Sequence, residues 1–330
     1  MNEFVSPLEK NKPKLEDFKG PDYIKDSTKI KNDEELFKKS AEQDYESSLK
    51  SKIFEGILFK SGKKILGDGF SITPTTKYDD YTNGVDFIVE SEIEEASEKK
   101  IIRFGIDTTV SGYTQRIEDK ILNIKERING EKKDKTKTKV NNNIKYFKSE
   151  ITGEKTKLEN LPRFVLAIDS TLWDTFMKVY KNEENSDVLR KDFLKMIKIQ
   201  IENQFLYTMA HAYDSKRGEL GVISYENLAS KLQNLARNIV KKDRTSVEIE
   251  DLMKKFDRSQ IALDKFMKPD DLKLLENLRD IYKVIISKFE FEDEDEQNKI
   301  ADPINESAIT KVLTRQWGPE EIVFGGYIHA

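Results

Sequence analysis

The chain has 330 residues, 37% hydrophobic and 36% charged, with a formal net charge of −4. That length supports a sizeable core in one large domain or two ordinary ones, and the charge content calls for well-solvated helix surfaces. Cys is absent and His occurs only at 211 and 329. This excludes disulfides, thiolate nucleophiles and Cys-based zinc sites, argues against a Ser-His-Asp triad, and leaves metal binding to Asp and Glu. No apolar run approaches the roughly 18 residues of a membrane span. The N-terminal MNEFVSPLEKNKPK lacks the apolar stretch of a secretory signal. A cytoplasmic location without membrane contact is the expectation.

Residues 1–32 combine Pro7, Pro13 and Pro21 with many Lys and Asp, which reads as a flexible or loosely docked arm. Asn32 or Asp33 can cap a helix running to about Lys60, with Leu36, Tyr45, Leu49, Ile53, Ile57 and Leu58 near helical spacing and Gly62 as its stop. GFSITPTT, residues 69–76, reads as a first strand, and YDDYTNG, 78–84, as a turn. VDFIVE, 85–90, and IIRFGIDTT, 101–109, are rich in Val, Ile and Phe and read as a second and third strand, joined by a charged turn. Ile117, Ile121, Ile124 and Ile128 mark a helix over 113–128. A lysine-rich loop follows at 131–143, then short strands at 144–147 and 163–169.

Beyond Ser170 strand signals fade. Helices are expected at about 170–182, 187–214, 224–242, 246–266 and 270–289, then an acidic run, FEFEDEDE, and an apolar tail, WGPEEIVFGGYIHA. The predicted organisation is an arm at 1–32, an α/β domain at 33–213 and a helical C-terminal domain at 214–330. The tail's aromatics suit docking on this chain, a second copy or a protein partner.

The second and third strands, folded as an antiparallel hairpin, bring Asp86 beside Asp107 at one sheet edge. Two carboxylates there make a seat for a hard divalent cation such as Mg²⁺. Each has a plainer explanation. Asp86 follows Asn83-Gly84 and suits a turn or strand entry; Asp107 interrupts an apolar strand, where a buried carboxylate is costly unless paired or metal-bound. Glu46, Asp79, Asp80 and Glu90 are nearby acids of lower rank. His211, among Phe205, Leu206, Met209 and Ala210, reads as a core or surface His. No GxxxxGK[ST] or GxGxxG pattern occurs, so those nucleotide-binding loops are absent.

The order helix, three strands, helix, strand over residues 34–169 resembles the PD-(D/E)XK nuclease superfamily, and YDDYTNGVDFIVE followed by IDTT also resembles nuclease-like proteins of uncharacterised bacterial families. The resemblance implies a restriction-endonuclease-like mixed sheet flanked by helices, here followed by an all-helical region. It implies a Mg²⁺- or Mn²⁺-dependent hydrolase of DNA or RNA phosphodiesters, with Glu55 in KSKIFEGIL, Asp86 and Asp107 as metal ligands. The family's third motif ends in Lys, where this chain has Thr109. The missing cation is sought in Lys120, on the following helix, or Lys145, in IKYF.

From Arg116 to Lys157 basic residues outnumber acids. Lys132, Lys133, Lys135, Lys137 and Lys139 suit a nucleic-acid backbone, with Tyr146, Phe147 and Arg163 as further contacts and Gln115 as a lesser phosphate candidate. A solvated loop explains the same run. The second functional class, favoured by Thr109, the helical half and the tail, is a catalytically inactive nuclease-like structural or assembly protein that forms oligomers.

Overall fold

The hairpin at the centre of the fold is longer than its apolar runs. The computed structural model describes residues 2–18, 20, 22–43, 45–95, 98–129, 143–181, 186–217, 246–263 and 267–289. Within them β2 (Phe87–Glu95) pairs antiparallel with β3 (Glu98–Ser111). The charged stretch expected as a turn is mostly strand: Glu94 opposes Lys99, and Lys99 Nζ lies 2.7 Å from Glu92, and such cross-strand pairing of opposite charges is favourable on a wet face. β1 (Phe70–Pro74) pairs antiparallel on the other side of β2. β6 (Arg163–Asp169) runs parallel to β3, with α5 (Thr114–Asn129) in the crossover that a parallel pair requires. The result is a four-stranded mixed sheet of order β1-β2-β3-β6.

The two faces of β2 go to different cores. Phe87 and Val89 belong to the large cluster, which extends through Phe54, Phe104 and Phe164 to Leu278 and Ile285. Ile88, pointing the other way, packs in a smaller cluster with Val85, Ile144, Phe147, Leu158 and Leu161. Those last residues frame a separate two-stranded sheet, β4 (Ile144–Lys148) with β5 (Lys155–Leu158). IKYF is therefore a strand, as expected, but it lies beside the main sheet and not in it.

β6 is the sheet's outer strand, and it is buried from Arg163 to Ile168. Its free edge is closed by α7 (Ser186–Arg217). Gln200 accepts from Val165 N at 2.8 Å and donates to Val165 O at 2.9 Å, and Gln204 donates to Arg163 O at 2.6 Å. The amide side chains satisfy the backbone groups that an open edge would leave to another chain.

Helices cover the sheet. α3 (Tyr45–Leu66) lies against β1, β3 and α7, and its Phe54 stacks on Phe193 and meets Phe176 edge-on, both at 5.6 Å between centroids. α5 buries Ile117, Ile121, Ile124 and Ile128, the predicted stripe. α6 (Trp173–Lys181), α8 (Ser246–Leu263) and α9 (Pro269–Phe289) supply the helical part, with α9 packed on α7 and β3. The expected division near Tyr213 falls inside the continuous α7. The expected helix at 224–242, the Lys132–Lys139 loop, the acidic run and the tail lie outside the described residues. No described helix is long and apolar enough to cross a membrane.

Three local readings differ from the structure. Residues expected as an arm form α1 (Asn2–Asn11), the short turn Leu15–Phe18 and α2 (Tyr23–Gln43), so the first expected helix is two, α2 and α3. Phe4 and Leu8, spaced i and i+4, enter the core, and this burial outweighs the Pro signals that suggested a loose arm. YDDYTNG is not a turn but α4 (Lys77–Asn83), because Thr76 caps it by accepting from Asp79 N.

α1 rests directly on α3. A Cβ at Gly56 would fall 2.6 Å from the Phe4 carbonyl carbon, closer than atoms can approach. Gly56→Ala should therefore push α1 off α3, lower stability by about 1–3 kcal/mol, and remove amide-exchange protection selectively from residues 2–11. Unchanged protection there would contradict this packing.

Candidate functional site

The site grows out of the β2 entrance. Asp86 N donates to Ile106 O at 2.9 Å, one position off the Phe87↔Ile106 register with which the regular pairing ends. Asp86 is near enough to Asp107 for its charge to be felt there. Asp86 Oδ2 accepts from Thr108 N at 2.7 Å and Thr108 Oγ1 at 2.6 Å. The carboxylate thus clips the end of β2 to β3 and is itself fixed.

Asp107 meets Lys120, which reaches back from α5 to hydrogen-bond Asp107 Oδ1 and also donates to Thr108 O at 3.3 Å. Burial raises the Asp107 pKa; Lys120 lowers it, and the nearby Asp86 raises it. Burial alone would lower the Lys120 pKa, but Asp107 and then Asp86 outweigh it and raise the ammonium's affinity for its proton. The net shift of Asp107 is upward, so Lys120 offsets only part of the cost of burying that carboxylate, while Asp107 favours the charged form of Lys120.

Two more acids and another lysine complete the cluster. Glu55, on α3, is pushed well above the ordinary carboxylate range by burial and by the charge of Asp86. Asp80, on α4, is raised to about 7 by burial and by Asp86. Lys12, just past α1, lies 3.2 Å from Asp80 Oδ2. Burial works against its charge, yet Asp80, Glu55 and Asp86 together raise its pKa. Glu55, Asp80, Asp86 and Asp107 therefore feel one another's charge, with Lys12 at one side and Lys120 at the other. As these side chains are placed, no group of three acidic or His residues among the described residues is arranged to hold a metal ion.

The remaining sequence candidates divide clearly. Thr109 is buried in β3 opposite Ala167 of β6. Lys145 stands apart from the cluster: its Nζ pairs with Asp22 at 2.7 Å and Asp26 at 2.6 Å and lies over the Tyr78 and Tyr146 rings. Its strand belongs to the second sheet, so it does not reach Asp107. Asp79 is a structural clip, accepting from Lys145 N, Tyr146 N, Asn83 Nδ2 and Thr76 Oγ1 at 2.7–3.1 Å. Glu90 is spent on Arg103, Ser149 and Glu150 N at 2.8–2.9 Å. Glu46 pairs with Lys50 on the surface and Gln115 with Asp119. Phe147 lies in the small core and Tyr146 donates to Asp26. The loop lysines 132, 133, 135, 137 and 139 are outside the described residues.

Sequence reasoning ranked Asp80 low and missed Lys12. A Thr three residues before Asp79 was a capping signal for a helix that presents Asp80 inward. Phe4 and Leu8 were the only cue that the segment before Lys12 docks.

No protein-family model matches the chain, and no curated protein or solved structure is significantly similar to it.

The raised carboxyls have a definite pH signature. A carboxyl whose folded pKa exceeds its unfolded value adds stability at low pH and loses that contribution as pH rises through the folded value. For Asp80 the window runs from 3.8 to about 7. The stability gap between Asp80→Asn and the wild type should therefore shift in favour of the variant as pH rises across that window, read from urea midpoints. A gap independent of pH would contradict the clustering.

Proposed function

We propose that the chain is a metal-dependent hydrolase of nucleic-acid phosphodiesters on a restriction-endonuclease-like scaffold. The observation that carries this is the contact of Lys120 with Asp107. The family places a lysine two residues after the strand carboxylate; this chain has Thr109 there, and Lys120 brings an ammonium to the same carboxylate from the next helix. The order α3, β1, β2, β3, α5, β6 supports the reading, with α4 as an insertion between β1 and β2.

Glu55, Asp86 and Asp107, with Asp80 beside them, offer the hard oxygen donors that suit Mg²⁺ or Mn²⁺. Such an ion would neutralise the phosphate and lower the pKa of a bound water. The chain's own groups have separable tasks. Asp86, fixed by Thr108, positions the strand ends. Lys120 favours the ionised form of Asp107 against burial and presents an N–H to an anionic oxygen. Lys12 balances the surplus charge at Asp80 and Glu55. The lysines between 132 and 139, which follow α5 in sequence, would track the backbone of the substrate.

A second reading has its own support. Lys12 and Lys120 already neutralise part of the acidic cluster, which is how an inactive, assembly-type scaffold would keep buried carboxylates folded.

Labelled single- and double-stranded DNA and RNA, incubated with the full chain and Mg²⁺ or Mn²⁺, separate the two. A hydrolase should cut at least one substrate, lose cleavage with chelator, and lose about 10²-fold or more in rate on Asp107→Asn or Lys120→Met. Cleavage that survives chelator and both substitutions would exclude this site; no cleavage by well-folded protein would leave the scaffold.

A further inference from the structure

Beside the carboxylates lies a positive feature that no task above uses. Arg163 opens β6 and is almost wholly buried, 3% exposed. Its Nη1 donates to the Asn83 carbonyl. Its Nε and Nη2 are buried without a hydrogen-bond partner among the described residues, and so is Nη1 of Arg127 on α5. Nε–H and the neighbouring Nη2–H form the side edge of the guanidinium, where two parallel N–H bonds grip two oxygens of one anion. That edge is the one without a partner among the described residues.

The two arginines are close enough to disfavour each other's charge. Burial, and then the charge of Arg127, holds the Arg163 pKa well below normal; burial lowers that of Arg127 to about 10. The nearby acids do not fill the open edge. All of Asp79's bonds go to Thr76, Asn83 and the β4 backbone, and Asp107 is held by Lys120. Buried charged donors without partners are costly, and native structures seldom tolerate them unless a ligand completes them.

The place is next to the carboxylate cluster. Asn83, which receives Arg163, is followed by Gly84, where a Cβ would sit 3.8 Å from Asp107 Oδ2. Gly105 gives the arginine stem its room: a Cβ there would lie 3.4 Å from Arg163 Cγ.

We propose that Arg127 and Arg163 form a binding site for a phosphate group, adjacent to Asp107. The fork of Arg163 takes two oxygens and Arg127 Nη1 a third, a demand that a tetrahedral anion meets and a planar carboxylate does not. That the phosphate is one of a nucleic-acid backbone rests on the proposed hydrolase; the anion site itself does not.

The test is thermal unfolding and calorimetric titration of the full chain with inorganic phosphate, and separately with a short oligonucleotide lacking terminal phosphates. Ionic strength is held constant with chloride. Wild type should be stabilised by one or both ligands beyond chloride. Arg127→Met and Arg163→Lys should each weaken that binding at least about tenfold, while Asp107→Asn retains it. Protection by inorganic phosphate assigns a free phosphate source, and protection by the oligonucleotide alone assigns a phosphodiester. Arg127 is only part-buried, so its variant remains informative even where Arg163→Lys fails to fold. Stabilisation no greater than chloride with both ligands, or equal stabilisation of wild type and Arg127→Met, overturns the proposal. Loss of cleavage with phosphate binding intact would refute the hydrolase and leave this site standing.

Discussion

A carboxylate inside an apolar strand must find a cation, and Asp107 finds Lys120. Much of the region around the sheet's β2–β3 end is arranged about that necessity. α5 has to lie where its third residue after Ile117 can turn back onto β3, and its isoleucine stripe fixes it there. Asp86 has to sit near Asp107, and Thr108 of β3 holds it with both its amide and its hydroxyl. The charge of Asp86 raises the pKa of Asp107, and it does the same to Glu55 and Asp80. Lys12 offsets it from the opposite side. The docked N-terminus is thus part of the electrostatics of the site as well as part of the core.

Buried acids in this fold take two roles that look alike in sequence. Asp79 and Glu90 spend their oxygens on backbone and side-chain donors and join the small β4–β5 sheet to the main one. Asp80 and Asp107, by contrast, face lysines and other acids. Adjacent residues, Asp79 and Asp80, fall into different roles because a helix turns successive side chains through about a quarter of its circumference. The same division separates the basic residues: Lys145 serves the Asp22–Asp26 surface, Lys120 the acidic cluster, and Arg163 is buried with part of its fork unpartnered among the described residues.

What the sequence displayed was periodicity. The apolar runs at 69–76, 85–90, 101–109 and 163–169, the isoleucine helix and the later helices carry patterns that survive without knowledge of their neighbours, whereas the charged residues that lengthen β2 and β3 read as a turn. That Asp86 comes near Asp107 followed from the hairpin alone. What stayed hidden depends on contacts distant in sequence. α1 is held by Phe4 against Gly56, some fifty positions away, and its prolines gave the opposite local signal. IKYF has a strand's composition, but only Val85, Ile88 and Leu161 reveal that it packs beside the sheet. Sequence favoured Lys120 over Lys145 only slightly; which of them contacts Asp107 depends on the layer each element joined.

The central claim is that Glu55, Asp80, Asp86 and Asp107 form one electrostatic unit able to take a divalent cation in place of protons and lysine charge. Calorimetric titration with Mn²⁺, repeated in buffers of different protonation enthalpy, addresses it most directly. A single binding site with protons released on binding, abolished in Asp86→Asn/Asp107→Asn, is the predicted result. Absence of Mn²⁺ binding to the folded chain, or binding untouched by that double substitution, would contradict it.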